Sequence, residues 1–339
     1  MKAVKIIQAG DVKLVEIPKP EVKPGHVLVK IHYVGYCGSD LNTFGGKNPM
    51  VQLPVIPGHE IGASIAATGT DVPDHIQAGM ACTVNPYTSC GSCSSCRNGR
   101  PNACRYNQTF GVQRDGAMTE YIAVPWQKVL VDSSLSPFDF TLVEPMSVGF
   151  HAVARGGVSD LDTVMVIGCG MIGLGAVVRA ALRGARVVAV DVDDTKLTLA
   201  KELGAHYTIN SSTENVHEKL AEITGGHGPD VVVEAVGAPV TYQMAVNEVA
   251  FTGRVVCIGY AKQEVAFETK YFVQKELDIR GSRNAMPEDF RAVMEYMKRG
   301  TCPKEKLVSA VFSPEKAQEA LEFWQKDPGK VFRILIQFA

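Results

Sequence analysis

The chain has 339 residues, of which 46% are hydrophobic and 21% are charged, and its formal net charge is -2. This length favours two domains, and the composition is that of a folded globular protein. No run of lysine or arginine indicates a nucleic-acid or membrane surface, and no apolar stretch is long enough for a membrane span. The chain begins with strand-like alternation rather than a cleavable leader, so we expect a cytoplasmic protein that binds a small molecule, not nucleic acid or membrane.

Residues 1–150 consist of short β-rich runs separated by proline and glycine. The clearest runs are Val27–Val34, Ile61–Ala67 and Glu120–Val124. Many short strands with turn residues between them are typical of sandwiches and barrels. The pattern therefore predicts a compact, barrel-like β domain with long loops.

Residues 151–285 alternate apolar strands with amphipathic helical stretches. Helices are predicted through Ala180 and over Thr195–Leu203, and strands at Val164–Ile167, Arg186–Asp191, Tyr207–Ile209, Val231–Glu234 and Val255–Ile258. Strands that are apolar on both faces are covered on both sides. The alternation predicts a doubly wound parallel sheet of the Rossmann type, flanked by helices.

Residues 286–339 carry two predicted helices, over Glu288–Arg299 and near Glu315–Gln325, and a closing strand over Val331–Ile336. That last strand does not easily extend a parallel sheet. We therefore expect it to return to the β-rich region, so that residues 1–150 and 286–339 form one domain and residues 151–285 the other.

Four cysteines within residues 88–106 have the spacing C-x2-C-x2-C-x7-C, and they are Cys90, Cys93, Cys96 and Cys104. Four thiolates on a loop rich in Ser, Gly and Asn suit a closed tetrahedral Zn²⁺ site. A ferredoxin motif would place its fourth cysteine after three residues, and disulfides fit poorly with nine cysteines and no secretory leader. The spacing predicts a structural zinc, so the active site must lie elsewhere.

A glycine-rich fingerprint lies between a predicted strand and a predicted helix, and its residues are Gly168, Gly170, Met171, Ile172 and Gly173. Its glycines permit a tight turn, close approach of a pyrophosphate and close helix packing, and the helix N-terminus attracts phosphate. The next strand ends at Asp191, whose carboxylate can accept from a ribose 2′-OH and would repel a 2′-phosphate. The pattern favours NAD over NADP. Alternatively, Asp191 caps the next helix, although Asp193 can fill that role.

A second set of metal-ligand side chains lies in the β-rich region. Cys37 is expected in a turn after an apolar strand, His59 and Glu60 in another turn, and Glu144 before a proline. One Cys, one His and one or two carboxylates can hold Zn²⁺ and leave a position open. Each also has an ordinary explanation, such as an inert buried thiol or a solvated histidine. The spacing alone does not decide.

Over essentially the whole chain, the order of motifs resembles that of the zinc-dependent medium-chain dehydrogenases. The resemblance is greatest to the sorbitol (L-iditol) dehydrogenase branch and to bacterial L-galactonate and L-gulonate oxidoreductases. Besides the four cysteines and the glycine fingerprint, the matching segments are Gly35–Asp40, Pro57–Glu60, Asp115–Tyr121 and Glu144–Ala152.

The resemblance implies a GroES-like β-barrel catalytic domain, a Rossmann NAD-binding domain and two zinc ions per chain. It implies a catalytic zinc bound by Cys37, His59 and Glu144. Glu60 would lie behind the metal, as an exchanging ligand or a partner of bound water. By the same resemblance Asp40 would orient the metal histidine, and Ser39 would pass on the alcohol proton while NAD accepts hydride where the domains meet.

Asn42 departs from the pattern of this family. Several relatives carry a histidine five residues after the zinc cysteine, as the outer end of a proton relay. An asparagine cannot take up a proton at neutral pH. We therefore expect the proton to leave through the ribose hydroxyls and solvent, or through another group.

The substrate residues are less sharply indicated. Arg283 and Asn284 follow the last predicted strand of the parallel sheet. An arginine there can pair with a carboxylate, contact polyol hydroxyls or the cofactor, or belong to a surface helix-capping turn. Tyr36, Phe110 and His151 are further candidates for the pocket, although all three also suit packed positions.

These patterns together predict a zinc-dependent, NAD-linked dehydrogenase of a secondary alcohol in a polyol or sugar acid. The alternative enzyme is L-threonine 3-dehydrogenase, against which Asn42 counts. The alternative of another class is a catalytically silent NAD- and zinc-binding protein, which would be expected to lose Cys37, His59 or Ser39. We expect a homodimer or homotetramer in which parallel sheets pair edge to edge, with which the strand Val255–Gly259 is compatible.

Overall fold

The computed structural model describes all 339 residues, with fifteen strands and twelve α-helices. The strands are β1 (Lys2–Gln8), β2 (Asp11–Glu16), β3 (His26–Tyr36), β4 (Glu60–Thr68), β5 (Ala81–Val84), β6 (Tyr121–Pro125), β7 (Val129–Val131), β8 (Thr163–Ile167), β9 (Arg186–Asp191), β10 (Tyr207–Asn210), β11 (Val231–Glu234), β12 (Arg254–Cys257), β13 (Asp278–Gly281), β14 (Ala310–Phe312) and β15 (Ile334–Gln337). The helices are α1 (Gly38–Phe44), α2 (Ser94–Arg97), α3 (Pro137–Phe140), α4 (Val143–Gly156), α5 (Met171–Leu182), α6 (Asp194–Glu202), α7 (Val216–Thr224), α8 (Pro239–Glu248), α9 (Lys270–Gln274), α10 (Pro287–Lys298), α11 (Lys304–Leu307) and α12 (Ala317–Lys326).

The chain divides into two compact units. One comprises Met1–Glu144 with Phe290–Ala339, and the other comprises Pro145–Asp289. Both borders lie a few residues from those predicted at 150 and 285. Helices α4 and α10 run across the borders, so no loop with turn residues marks either of them in the sequence.

The first unit is built on a mixed, mainly antiparallel sheet with the order β14-β15-β3-β4-β5-β7, and β6 also pairs with β3. β3 is the longest strand, and it is buried over Val27–Val29 and again over Val34–Tyr36, as a central strand covered by neighbouring elements should be. β15 pairs antiparallel with β3, with Ile334 opposite Tyr36. This pairing confirms that the closing strand returns to the β-rich region.

The second unit is a six-stranded parallel sheet with the order β10-β9-β8-β11-β12-β13. The middle strands β8 and β11 are apolar and almost wholly buried, which fits a sheet covered by helices on both faces. The prediction of a doubly wound sheet is confirmed. β12, the strand at Val255, lies inside the sheet, and the free edge on that side is β13.

None of the twelve helices combines the length and the apolar character that a crossing of a lipid bilayer would require.

Candidate active site

The pairing of β3 with β4 brings three potential metal ligands together. Cys37 directly follows β3, His59 directly precedes β4, and Glu60 is the first residue of β4, opposite Gly35. One donor atom from each of Cys37, His59 and Glu60 lies within 4.8 Å of the other two. The adjacent strand ends of one antiparallel pair thus build a thiol–imidazole–carboxylate cluster.

Cys37 is fixed by the start of α1 rather than by the expected turn. Its backbone N–H donates to Asp40 Oδ2 at 2.8 Å, while its Sγ accepts from Ser39 N at 3.2 Å. The bond to Asp40 is one half of a capping box between Cys37 and Asp40 at the N-terminus of this seven-residue helix. Asp40 therefore positions the cysteine through the backbone.

Asp40 was expected to orient the metal histidine, and the structure does not contain that hydrogen bond. Asp40 Oδ1 and His59 Nδ1 are both buried and have no hydrogen-bond partner. The carboxylate still acts on the ring as a charge, and it contributes to raising the pKa of His59. Two buried polar atoms without a bond are costly, so this corner of the site is incomplete without a further group.

The cluster is strongly perturbed electrostatically. Burial lowers the pKa of His59, but the charges of Cys37, Glu144 and Asp40 outweigh it, and the net pKa is well above the usual value. Burial raises the pKa of Glu60 to about 7, although the Arg333 guanidinium opposes this shift. The raised pKa values mean that His59 and Glu60 bind protons strongly, because negative charge and burial both act on this site. A bound cation would compensate the negative charge in place of those protons. The residues present therefore fit a Zn²⁺ ion.

Ser39 lies beside the cluster. Its Oγ is 2.7 Å from Cys37 Sγ. Asn42 is one turn further along α1, and its Nδ2 donates to the carbonyl of Gly38 at 2.9 Å. The amide is engaged in a bond to the helix backbone, and it carries no titratable proton.

The four-cysteine lobe forms a second potential metal site in the same unit. One Sγ atom from each of the four cysteines lies within 4.8 Å of the other three. Cys93 Sγ lies 3.6 Å from Cys96 Sγ and 3.7 Å from Cys104 Sγ. None of the four forms a disulfide. Backbone N–H groups point at the sulfurs, such as Cys93 N toward Cys90 Sγ at 3.3 Å, and such contacts stabilise thiolates.

The glycine fingerprint joins β8 to α5 in the second unit. Gly168 has φ of +91°, and a Cβ on Gly173 would lie 1.7 Å from the carbonyl oxygen of Gly168. A Cβ on Gly170 would meet no heavy atom within 4 Å, and Gly170 precedes Met171 and Ile172 in the first turn of α5. Gly168 is therefore needed for the turn, and Gly173 for the close packing of the helix. The open side of Gly170 and the free N–H groups at the start of α5 suit a phosphate.

Asp191 ends β9 and holds the fingerprint loop. Its carboxylate accepts from the backbone N–H of Cys169 at 2.6 Å and of Val192 at 2.8 Å. The next helix is capped by Asp193, which accepts from Lys196 N at 3.0 Å. Asp193 therefore caps α6. The alternative role considered for Asp191, capping of this helix, is filled by Asp193.

Two domain families match the chain. Residues 23–133 match the alcohol dehydrogenase GroES-like domain, and residues 172–299 match the zinc-binding dehydrogenase. L-Galactonate-5-dehydrogenase of Escherichia coli (strain K12) is 34% identical over 84% of this chain and 83% of its own length. Sorbitol dehydrogenase of Bacillus subtilis (strain 168) is 33% identical over 95% of this chain and 93% of its own.

The chain belongs to the zinc-type alcohol dehydrogenase family. It is an oxidoreductase of secondary alcohols, as the sequence predicted. L-Threonine 3-dehydrogenase of Pyrococcus abyssi is 30% identical over 95% of each chain. A solved short chain alcohol dehydrogenase (RspB) of Escherichia coli CFT073, in complex with NADH, superposes with a TM-score of 0.91 and 29% identity over 100% of this chain and 99% of that one.

In this alcohol dehydrogenase, Glu144 lies near the cluster but outside its group of mutually close donors. Its Oε1 accepts a hydrogen bond from the Tyr87 hydroxyl, and its charge acts on both His59 and Glu60. The resemblance placed Glu144 among the ligands and Glu60 behind them. In the structure Glu60 is the carboxylate that joins Cys37.

Sequence reasoning missed two residues of this site, Tyr87 and Arg333. Arg333 is buried, and its Nε lies 3.0 Å from Glu60 Oε2, an ion pair without an aligned hydrogen bond. Its Nη1 donates to the carbonyl of Tyr36 at 2.8 Å. A signal was present, because an arginine inside the apolar run Val331–Ile336 implies a buried charge that needs a partner.

The residues predicted to contact substrate have different surroundings in the structure. Tyr36 is fully buried in the hydrophobic core, so its side chain is not on a pocket wall, contrary to that expectation. The Arg114 guanidinium lies 3.9 Å from the centre of the Phe110 ring. Arg283 is exposed two residues after β13, and Asn284 beside it has φ of +54°, a left-handed backbone.

His151, the third further candidate for the pocket, lies in the middle of α4. Its Nδ1 lies 2.8 Å from Asp289 Oδ2, and both side chains are largely buried. Asp289 Oδ2 also accepts from Met286 N at 2.9 Å. The pair therefore ties α4 to the segment that follows Arg283 and Asn284.

Proposed function

We propose that this dehydrogenase oxidises a secondary alcohol of a polyol or sugar acid, with NAD as the hydride acceptor. The observation that carries the proposal is the cluster of Cys37, His59 and Glu60 with the Ser39 hydroxyl beside it. One thiolate, one imidazole and one carboxylate are a catalytic zinc set with a fourth position for substrate. The named activities of the sugar-acid and sorbitol relatives support the substrate class.

Zinc held by Cys37, His59 and Glu60 would supply Lewis acidity that lowers the pKa of the alcohol hydroxyl. Ser39 would accept the hydroxyl proton, because its Oγ lies 2.7 Å from a ligand atom and a hydroxyl both accepts and donates. Asn42 cannot extend the route, so the proton would pass from Ser39 to solvent or to a cofactor hydroxyl.

NAD would bind to the second unit through residues of the fingerprint and the end of β9. The N–H groups at the start of α5 would hold the pyrophosphate, and the Asp191 carboxylate would accept from the adenosine ribose. The positive φ of Gly168 and the open side of Gly170 support this assignment. The negative charge of Asp191 supports NAD rather than NADP.

A second, structural zinc would occupy the four-cysteine lobe. Four sulfurs leave no position for substrate, so this metal would stabilise the loop without taking part in the reaction. A site of this kind needs reduced cysteines, which supports a reducing compartment such as the cytoplasm.

A homodimer or homotetramer would form through β13, the exposed edge of the parallel sheet. Ile279 on this strand is 48% exposed, and an unpaired edge with an apolar side chain suits pairing with a second copy. Sedimentation velocity of an Ile279→Lys variant tests this. A shift to the monomer is expected, and an unchanged oligomer would rule out this edge.

The function is tested by initial rates of NAD⁺ reduction with zinc-replete protein. The substrate panel comprises sorbitol, xylitol, L-iditol, L-galactonate, L-gulonate and L-threonine. Turnover of polyols or aldonates that disappears in the Cys37→Ser variant is the expected result. If turnover is confined to aldonates, Arg283 becomes the first residue to mutate as a carboxylate partner.

L-Threonine oxidation is the second candidate, because the threonine dehydrogenase relative covers the chain as fully as the sorbitol enzyme does. Asn42 in place of the relay histidine counts against it. Turnover of L-threonine alone on the same panel would make it the function. No turnover on any member, in protein with both metal sites filled, would favour a catalytically silent binding protein.

A further inference from the structure

Two buried carboxylates lie at or near the cluster, and each interacts with a different partner. Glu60 is paired with Arg333, and Glu144 accepts a hydrogen bond from the Tyr87 hydroxyl. Both are almost fully buried. Glu60, and not Glu144, belongs with Cys37 and His59 to the group whose donor atoms all lie within 4.8 Å of one another.

Tyr87 is anchored independently of Glu144. Its backbone N–H donates to Asn85 Oδ1 at 3.1 Å, and its carbonyl accepts from Lys128 Nζ at 2.6 Å. Its ring packs edge-on against Phe290, with ring centres 6.2 Å apart. The side chain is 5% exposed. The hydroxyl therefore stays where it is, and Glu144 must give up this bond if it moves.

The number of protein ligands decides what such a zinc site can do. Three protein ligands leave one tetrahedral position for substrate, whereas four close the site. Cys37, His59 and Glu60 make three. Addition of Glu144 would make four, the same count as in the four-cysteine lobe.

We propose that Tyr87 is a positioning residue that holds Glu144 out of the ligand set and so keeps the catalytic site open. This inference rests on the proposed zinc chemistry of the cluster. Without the hydroxyl, Glu144 would exchange one hydrogen bond for a bond to the metal, and the position that substrate needs would be filled.

The test uses protein with Co²⁺ in the catalytic site and zinc in the lobe, titrated with imidazole as an external ligand of the open position. The Tyr87→Phe variant keeps the ring against Phe290, and the Co²⁺ absorption bands report binding without any turnover. We expect imidazole to bind about tenfold more weakly in this variant, which matches the loss of one hydrogen bond that restrains Glu144. Chelator-driven metal release should slow by a similar factor.

The double variant Tyr87→Phe with Glu144→Gln provides the matched control. It should recover imidazole binding, because an amide is a poor replacement for a carboxylate ligand of zinc. Unchanged imidazole affinity in Tyr87→Phe would overturn the proposal. An equal loss in the double variant would also overturn it, because the effect would then arise without the Glu144 carboxylate.

A separate variant distinguishes failure of this inference from failure of the proposed function. Cys37→Ser should lose the catalytic-site Co²⁺ spectrum while the lobe keeps its zinc. If Cys37→Ser retains the spectrum, the cluster is not the metal site, and the proposed function fails with the inference. If Cys37→Ser loses the metal and Tyr87→Phe behaves like the wild type, only the role of Tyr87 fails.

Discussion

Gly35 lies opposite Glu60 in the β3–β4 pair, and the space beside Gly35 is filled by the Glu60 carboxylate. A Cβ at position 35 would lie 2.2 Å from Glu60 Oε2 and 3.0 Å from Glu60 Cβ. The glycine is therefore required by its cross-strand neighbour and not by its own backbone, which has no positive φ. The carboxylate is further held by Arg333, so it has little freedom to retreat.

A Gly35→Ala variant should displace the Glu60 carboxylate. We expect kcat/KM to fall at least about tenfold. We also expect the free energy of unfolding to decrease by about 1–3 kcal/mol, as for other overpacked sites. Steady-state kinetics, zinc content and thermal melting measure the three effects. Gly329→Ala is the stability control, because a Cβ there meets only Asp327 Oδ1 within 4 Å, at an ordinary contact distance of 3.7 Å. Normal activity with a full zinc content in Gly35→Ala would contradict the assignment of Glu60.

The parts of the fold that follow local patterns were predictable. The apolar strands, the glycine fingerprint and the four-cysteine spacing each occupy one short segment, and their chemistry is determined by neighbours in sequence. The helix predicted over Thr195–Leu203 is observed over Asp194–Glu202. The short helix α1 was missed, because it starts with glycine and is stabilised by the capping box of Cys37 and Asp40 rather than by helix propensity.

The partners of Glu60 and Glu144 were not predictable, because they come from distant segments. Tyr87 and Glu144 are 57 positions apart, and Arg333 directly precedes the last strand, β15. No periodicity in either segment encodes these contacts. The sequence could indicate that Arg333 needs a buried partner, but only the pairing of β15 with β3 places it beside Glu60.

Removal of a proposed zinc ligand from the cluster should separate metal binding from folding. In Cys37→Ser or His59→Ala we expect a folded protein with one zinc instead of two and no measurable turnover. The reason is that Cys37 and His59 lie at strand ends and are not members of the hydrophobic core of this unit. Zinc analysis, circular dichroism and initial rates check this. A variant that still turns over at the wild-type rate would exclude that residue from the site.

Removal of a lobe ligand should act on stability instead. In Cys93→Ser three sulfurs remain, and the lobe should lose its zinc. We expect the melting temperature to fall by about 5 °C or more, equivalent to roughly 2 kcal/mol for a domain of this size. Protein that remains assembled should retain catalytic zinc and most of its kcat. A fully stable but inactive Cys93→Ser variant would contradict a purely structural role.

Cofactor choice should depend on the charge of Asp191. Asp191→Asn keeps the size and one acceptor oxygen, so the bonds from Cys169 N and Val192 N are partly preserved, but the charge that repels a 2′-phosphate is gone. We expect the ratio of kcat/KM for NADP to that for NAD to rise about tenfold or more, as loss of one charged contact allows. Initial rates with both cofactors at several concentrations measure the ratio.

Asp193→Asn is the matched control for this change, because it removes the same charge two residues away. Asparagine caps a helix about as well as aspartate, so α6 should keep its N-cap and its stability. The control should leave the cofactor ratio near the wild-type value, since Asp193 is engaged with Lys196 N. An equal shift in both variants would mean that the net charge of this segment, and not the position of Asp191 at the end of β9, determines the preference for NAD.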